Sequence, residues 1–311
     1  MIKTDALTKR YGDLTAVDSL TFAVEPGEVL GFLGPNGAGK STTMKMIAGF
    51  VAPTSGSASV CGFDVEAEPI KAKASLGYLP EGAPAYGEMT PHRFLDFIAD
   101  LRGLSGQNRK SRLDEVIGLL HLEGVLEQSI ETLSKGFKRR VGLAQAVVHD
   151  PKVLIMDEPT DGLDPNQKHE VRSLINNMAA DKLIVISTHI LEEVDAVCNR
   201  AIIIADGRVL VDATPGELAE RSRYHNAVRV KLNGSTAPQE VRGQLEKLPG
   251  ATGAELNDDG DVVTVFPKSG ASLLHEVNQL LTQKRWEIDQ LQVESGRLDD
   301  VFRDITGGVS K

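Results

Sequence analysis

Apolar positions in this chain come in two alternating patterns. Glu28-Val29-Leu30-Gly31-Phe32-Leu33 is a short, nearly unbroken apolar run, which predicts a buried strand. Lys152 to Met156 and Lys182 to Ser187 read the same way, each ending in polar turn residues. Between and after them the spacing changes to that of helices. Met44, Ile47 and Ala48 share one face of a segment from Lys40 to Phe50. Strands alternating with helices predict a parallel α/β core.

Residues 89–133 are poor in strand-like runs. Phe94, Phe97, Ile98 and Leu101 suit one amphipathic helix, and Leu113, Val116, Ile117 and Leu120 another. The segment reads as a helical subdomain inserted into the α/β core. Ala201 to Val211 is two β-rich runs joined at Asp206-Gly207, a strong hairpin signal.

Beyond Tyr224 a new pattern begins. Strands are predicted at Ala227–Leu232, Ala254–Leu256, Val262–Phe266 and Trp286–Val293, with helices at Gln239–Leu248 and Ser272–Gln283. That order, β-α-β-β-α-β, is the ferredoxin-like one, and a closing helix Leu298–Ile305 follows it.

Composition narrows the function classes. At 311 residues the chain has room for about two domains, and 41% hydrophobic with 25% charged residues suits a globular protein. There is no apolar stretch of the roughly 18 residues a membrane span needs, and Met1–Asp5 carries no apolar signal core. Cys61 and Cys198 are too few for a disulfide framework and fit a reducing cytosol. A net charge of -10 argues against a nucleic-acid-coating protein.

The candidate chemistry starts at Gly34-Pro35-Asn36-Gly37-Ala38-Gly39-Lys40-Ser41-Thr42, which matches G-x-x-x-x-G-K-[ST] between a predicted strand and helix. Such a loop turns its N–H groups onto phosphates, and the following helix adds the positive end of its dipole. Lys40 is expected to neutralise the β- and γ-phosphates and Ser41 to ligate Mg²⁺. Asp157 ends a buried apolar run, a costly place for a carboxylate unless it is paired, and a magnesium shell satisfies it. Glu158 beside it is the candidate general base for attack by water. GTPases share these parts, but the chain has no N-K-x-D guanine-reading motif, which favours ATP.

Together with Leu133-Ser134-Lys135-Gly136-Phe137, these segments resemble, in order and spacing, the nucleotide-binding subunit of an ABC transporter. The resemblance covers residues 2–222. It implies a P-loop NTPase core of the ABC ATPase type over 1–222, its helical subdomain at about 89–133, and a small α+β, ferredoxin-like accessory domain over 225–311. ATP would be held by Asn36, Gly37, Ala38, Gly39, Lys40, Ser41 and Thr42, with Tyr11 stacked on adenine. Ser134 and Gly136, at the start of the family's signature helix, would reach the γ-phosphate held by the other subunit of a head-to-tail dimer. Thr160-Asp161-Gly162-Leu163-Asp164 matches the loop that crosses that interface. His189, after Ser187-Thr188, matches the switch histidine that orients water. Glu81 stands where the family usually has a glutamine that ligates Mg²⁺ and reports on the permease.

That substitution, with Lys135 for glycine and Phe137 for glutamine, is where the chain departs from the family pattern. Gly77-Tyr78-Leu79-Pro80-Glu81, Leu-Ser-Lys-Gly and Leu298-Asp299-Asp300-Val301-Phe302 are similar to the gliding-motility-type subgroup, which serves exporter-like permeases. The resemblance thus implies an ATP-hydrolysing subunit on the cytoplasmic face of the membrane, docked to an integral-membrane permease. The alternatives are a soluble ABC protein, which usually carries two ATPase units or a long coiled coil, and a non-hydrolysing regulatory subunit.

Overall fold

The computed structural model describes residues 1–83, 85–234, 237–268 and 271–307. They form two compact units, one over Met1–Ala213 and one from Thr214 onward.

The first unit is built on a six-stranded sheet in the order Arg208–Ala213, Arg200–Ala205, Val29–Leu33, Leu183–Thr188, Val153–Asp157 and Leu76–Leu79. All neighbours are parallel except the first pair. Val29–Leu33, Val153–Asp157 and Leu183–Thr188 are buried at every residue, as strands covered on both faces must be. The register sets Leu33 beside Thr188 and Ser187 beside Asp157, so these three strands end together. The loops that follow them therefore open at one edge of the sheet, where ligands of open α/β sheets bind. The hairpin turns at Asp206 and Gly207, both left-handed (φ 48° and 75°), as a two-residue turn of this kind requires. Its tip reaches the glycine loop, with Gly207 N–H donating to the Ala38 carbonyl at 3.1 Å.

A second sheet has no counterpart in the sequence reading. Leu14–Val24, Ile2–Tyr11, Ser55–Val60 and Phe63–Asp64 pair antiparallel in that order. The first two strands shift register at Thr4/Leu7, Leu7/Lys9 and Lys9/Arg10, which disrupts the polar–apolar alternation that would reveal them.

In the helical region, Thr90 caps Pro91–Leu101, accepting from the Arg93 N–H at 3.3 Å, and Gly106–Leu119 follows. Phe94, Leu95, Leu113, Val116 and Ile117 share a core with Val141, Leu143 and Ala144 of the helix Lys135–Val147. Phe97 and Leu101, expected on the same buried stripe as Phe94, are 37% and 65% exposed. The stripe turns only partly inward.

The second unit starts with the helix Pro215–Glu220, closed by a capping box between Thr214 and Glu217. It packs with the last helix, Leu298–Gly307, so the division between units falls earlier than residue 222. Between them run Val228–Leu232, Pro238–Leu245, Ala251–Leu256, Val262–Pro267, Leu274–Lys284 and Ile288–Val293. The four strands form an antiparallel sheet in the order second, third, first, fourth. Its core is aliphatic, with Val228, Val230, Val263 and Val265 from the sheet and Val241, Leu245, Val277 and Leu281 from the helices. Among the described residues no helix is long and apolar enough to cross a membrane.

Candidate active site

The strand Val29–Leu33 runs into Gly34-Pro35-Asn36-Gly37-Ala38-Gly39 and then the helix Lys40–Ile47. Asn36 and Gly37 are exposed at the tip of the loop, and Ser41 and Thr42 are half-buried at the start of the helix. Gly39 is left-handed at φ 101°, and a Cβ there would collide with the Ala16 carbonyl oxygen. Only glycine meets both conditions. The Lys40 ammonium is folded back over the loop, donating to the carbonyls of Gly34 at 2.7 Å and Pro35 at 3.2 Å. Burial pushes it below its ordinary pKa, against the pull of Glu158, Asp157 and Glu81.

Asp157 is fully buried. Its Oδ1 accepts from the Ser187 hydroxyl and from Ser41 Oγ at 3.2 Å, whereas Oδ2 has no hydrogen-bond partner. A buried carboxylate oxygen without a donor is costly, and a cation held between it and Ser41 removes that cost. The donor set, one hydroxyl and one carboxylate, both hard oxygen ligands, suits Mg²⁺.

Glu158 is left-handed at φ 50°, a conformation unfavourable for its side chain and held by its surroundings. Its N–H donates to the Ser187 carbonyl at 3.1 Å and to Ser187 Oγ at 3.2 Å, and its carbonyl accepts from the Arg139 guanidinium. The carboxylate meets His189, with Oε2 2.9 Å from Nδ1. His189 is about half exposed, whereas Glu158 is only 12% exposed.

Four buried residues that frame this arrangement had no role of their own in the sequence reading: Ser187, Arg139, Thr160 and Glu193. Arg139 links two loops, since its guanidinium also lies 3.5 Å from the Pro80 carbonyl, one residue before Glu81. Glu193 accepts from the hydroxyls of Thr160 and Thr188, the latter at 3.0 Å. Burial raises its pKa, while the Thr188 bond and the charges of Arg172 and Lys168 oppose that. The available signals were a Ser-Thr pair closing an otherwise apolar strand and Thr160 at the head of the loop matched to the dimer interface.

The remaining candidates lie at varied distances from this centre. Tyr11 ends its strand with a half-exposed ring, the Lys9 ammonium 5.2 Å from the ring centroid. Glu81 is exposed, and among the described residues no bond ties it to Ser41 or Asp157, although its charge is felt at Lys40. Ser134 caps the helix Lys135–Val147, accepting from the Phe137 N–H at 3.3 Å. Gly136 packs so closely on the Gln167 side chain that a Cβ would displace it. Of the histidines expected at the surface, His121 and His169 are exposed.

A family model described as "ABC transporter" matches residues 17–161. The linearmycin resistance ATP-binding protein LnrL of Bacillus subtilis is 33% identical over 310 residues, 99% of this chain and 98% of that protein. The chain belongs to the ABC transporter ATP-binding proteins. A second family member, the probable multidrug ABC transporter ATP-binding protein YbhF of Escherichia coli, is 39% identical over 226 residues. That match takes in 71% of this chain but spans only 38% of the length of YbhF. A solved ATP-binding subunit of an ABC transporter superposes with a TM-score of 0.66 at 32% identity, covering 71% of this chain and 92% of that one. The first unit thus has the family's cassette fold.

Proposed function

We propose that this chain is the ATP-hydrolysing subunit of an export-type ABC transporter, working as a head-to-tail dimer on the cytoplasmic face of a separate permease. The observation that carries the reading is Asp157. It is a fully buried carboxylate with one unpartnered oxygen, beside Ser41 and directly before Glu158. Bound at Ser41 and Asp157, Mg²⁺ would supply charge neutralisation to the phosphates, with Glu81 approaching as a third ligand. Lys40 would exchange its two loop carbonyls for phosphate oxygens, and the N–H groups of residues 36–42 would cradle them. Tyr11 offers a ring face to adenine.

Phosphoryl transfer needs placement and electrostatic stabilisation more than covalent chemistry. With Glu158 Oε2 engaged by His189, Oε1 is left to accept the proton of the attacking water. His189, with Nδ1 turned to Glu158, presents Nε2 to the γ-phosphate and water. Ser134 accepts from its own helix, so its hydroxyl proton is available to a phosphate across the dimer, along with the free N–H groups of the helix start at Gly136.

The permease partner is supported by an apolar groove of about 800 Å³ whose lining includes Phe50, Ile70, Tyr78, Leu101 and Arg102. Ile70 is 84% exposed and Phe50 68%, and such patches mark interaction sites. The groove includes Pro80, so a docked permease segment would touch the residue preceding Glu81. The multidrug transport and linearmycin resistance for which the relatives are named fit an exporter-like partner, as do the segments at 77–81 and 298–302.

Magnesium-dependent ATP hydrolysis by the wild type and by Asp157→Ala tests the reading. Turnover lost in the variant is expected; equal turnover would contradict it. Tagged chain recovered from detergent-solubilised membranes should bring an integral-membrane protein with it, and recovery with ribosomes or DNA would oppose the permease partner.

A further inference from the structure

Glu193 lies in the helix Leu191–Val197, has 2% of its surface exposed, and has no part in the chemistry described above. Its two carboxylate oxygens go to two different segments. Oε1 accepts from Thr160, two residues beyond Glu158, and Oε2 accepts from Thr188, the residue before His189. Thr160 and Thr188 are themselves buried. On the other side of Glu158, the Ser187 carbonyl and hydroxyl hold its N–H. The 2.9 Å contact between Glu158 and His189 is therefore braced on both flanks.

We infer that Glu193 is a positioning residue for hydrolysis, whose carboxylate joins Thr160 to Thr188 and so sets Glu158 and His189 relative to each other. The inference rests on the reading of those two residues given above. Three physical arguments support it. A carboxylate removed from water is retained only where it is well bonded, and here each oxygen has a hydroxyl donor. The ionised form is favoured by Arg172 and Lys168, which belong to the helix Pro165–Ala179. The left-handed Glu158 backbone also requires restraint from its neighbours, and small displacements of a catalytic pair are costly in rate.

Glutamine can preserve both links. Its carbonyl oxygen accepts from one threonine while its amide donates to the other hydroxyl, which rotates to accept. Alanine preserves neither. The test uses the full chain and compares Glu193→Ala, Glu193→Gln and wild type in steady-state MgATP hydrolysis, with Glu158→Gln and His189→Ala alongside. The account predicts that Glu193→Ala loses about tenfold in kcat with KM for ATP within about twofold, and that Glu193→Gln stays within about threefold of wild type.

A second readout needs no nucleotide. The imidazole Cε1–H signal of His189, assigned from its loss in His189→Ala, should move in Glu193→Ala and stay near its wild-type position in Glu193→Gln. If the alanine variant does not fold, Thr160→Val takes its place, removing one link without opening a cavity, with loss of kcat in the same direction. Wild-type kcat in the alanine or valine variant overturns the inference, as does a loss confined to KM or a glutamine variant no better than alanine. Wild-type turnover by Glu158→Gln and His189→Ala would instead overturn the reading of the catalytic pair.

Discussion

The two units handle charge in opposite ways. In the first, Lys40, Arg139, Asp157 and Glu193 are buried, and the bonds and charges described above link them around the ends of three parallel strands. In the second, among the described residues, no Lys, Arg, Asp or Glu is buried to that degree, and the core is aliphatic. Folding alone does not call for the first arrangement, because each buried charge carries a desolvation cost that an apolar residue avoids. The second unit is what the same chain builds when only a core is required. Buried charge therefore marks where the chemistry is.

The largest effect on nucleotide binding should follow removal of the loop ammonium. Lys40→Met is expected to weaken ATP binding roughly 10- to 100-fold, the scale of a charged hydrogen-bonding group, as read by equilibrium binding of a labelled nucleotide. Unchanged affinity would mean that the buried lysine has a structural role only.

Next comes a pH effect confined to the first unit. Burial, reinforced by Arg102, holds His149 down to about 4 from an ordinary 6.5, while its bond to the Leu76 carbonyl opposes the shift. Because the unfolded chain takes up this proton first, the stabilising contribution is complete above about 6.5 and is lost as pH falls toward about 4. The loss should be on the order of 2 kcal/mol, allowing for residual solvent contact, and His149→Gln should flatten it in calorimetric unfolding. A wild-type curve as steep as before in the variant would assign the pH dependence to other groups.

A smaller change is expected at Glu81. Glu81→Gln should retain turnover while shifting the magnesium concentration for half-maximal rate by roughly fivefold, below the range for buried outer partners of metals because Glu81 is exposed. The same magnesium dependence in Glu81→Gln, Glu81→Ala and wild type would remove it from the metal site. The smallest effect on turnover should come from the second unit. Val265→Ala should cost about 1–3 kcal/mol of stability and leave kcat within about twofold. A larger fall in rate would blur the contrast between the units.

How much of this was legible depends on whether a feature is local in sequence. The glycine loop could be read because its turn, lysine and hydroxyl are contiguous. Asp157 could be read because a carboxylate closing an apolar run needs a partner, and the phosphate loop upstream supplies the reason for a cation there. Glu193 could not: Glu192-Glu193 in a short helix looks solvated, and its burial with Thr188 and with Thr160 of a distant loop appears only in the fold. Arg139 sits within Lys138-Arg139-Arg140, which reads as a basic patch until the fold brings the carbonyl of Glu158 onto it. The N-terminal antiparallel sheet was obscured by its register shifts, and the exposure of Phe97 and Leu101 by a helical stripe that faces two ways. The first strand of the second unit was legible because its alternation is unbroken through Val228–Leu232.

The central claim is that Glu158 activates water for a nucleotide trapped between two copies of this chain. The most direct test is ATP hydrolysis by wild type and Glu158→Gln, together with size-exclusion chromatography in saturating ATP. The account predicts turnover by the wild type, a loss of about 100-fold or more in the variant, and an ATP-held dimer that only the variant accumulates. Wild-type turnover by Glu158→Gln, or a variant that stays monomeric with ATP bound, would contradict it.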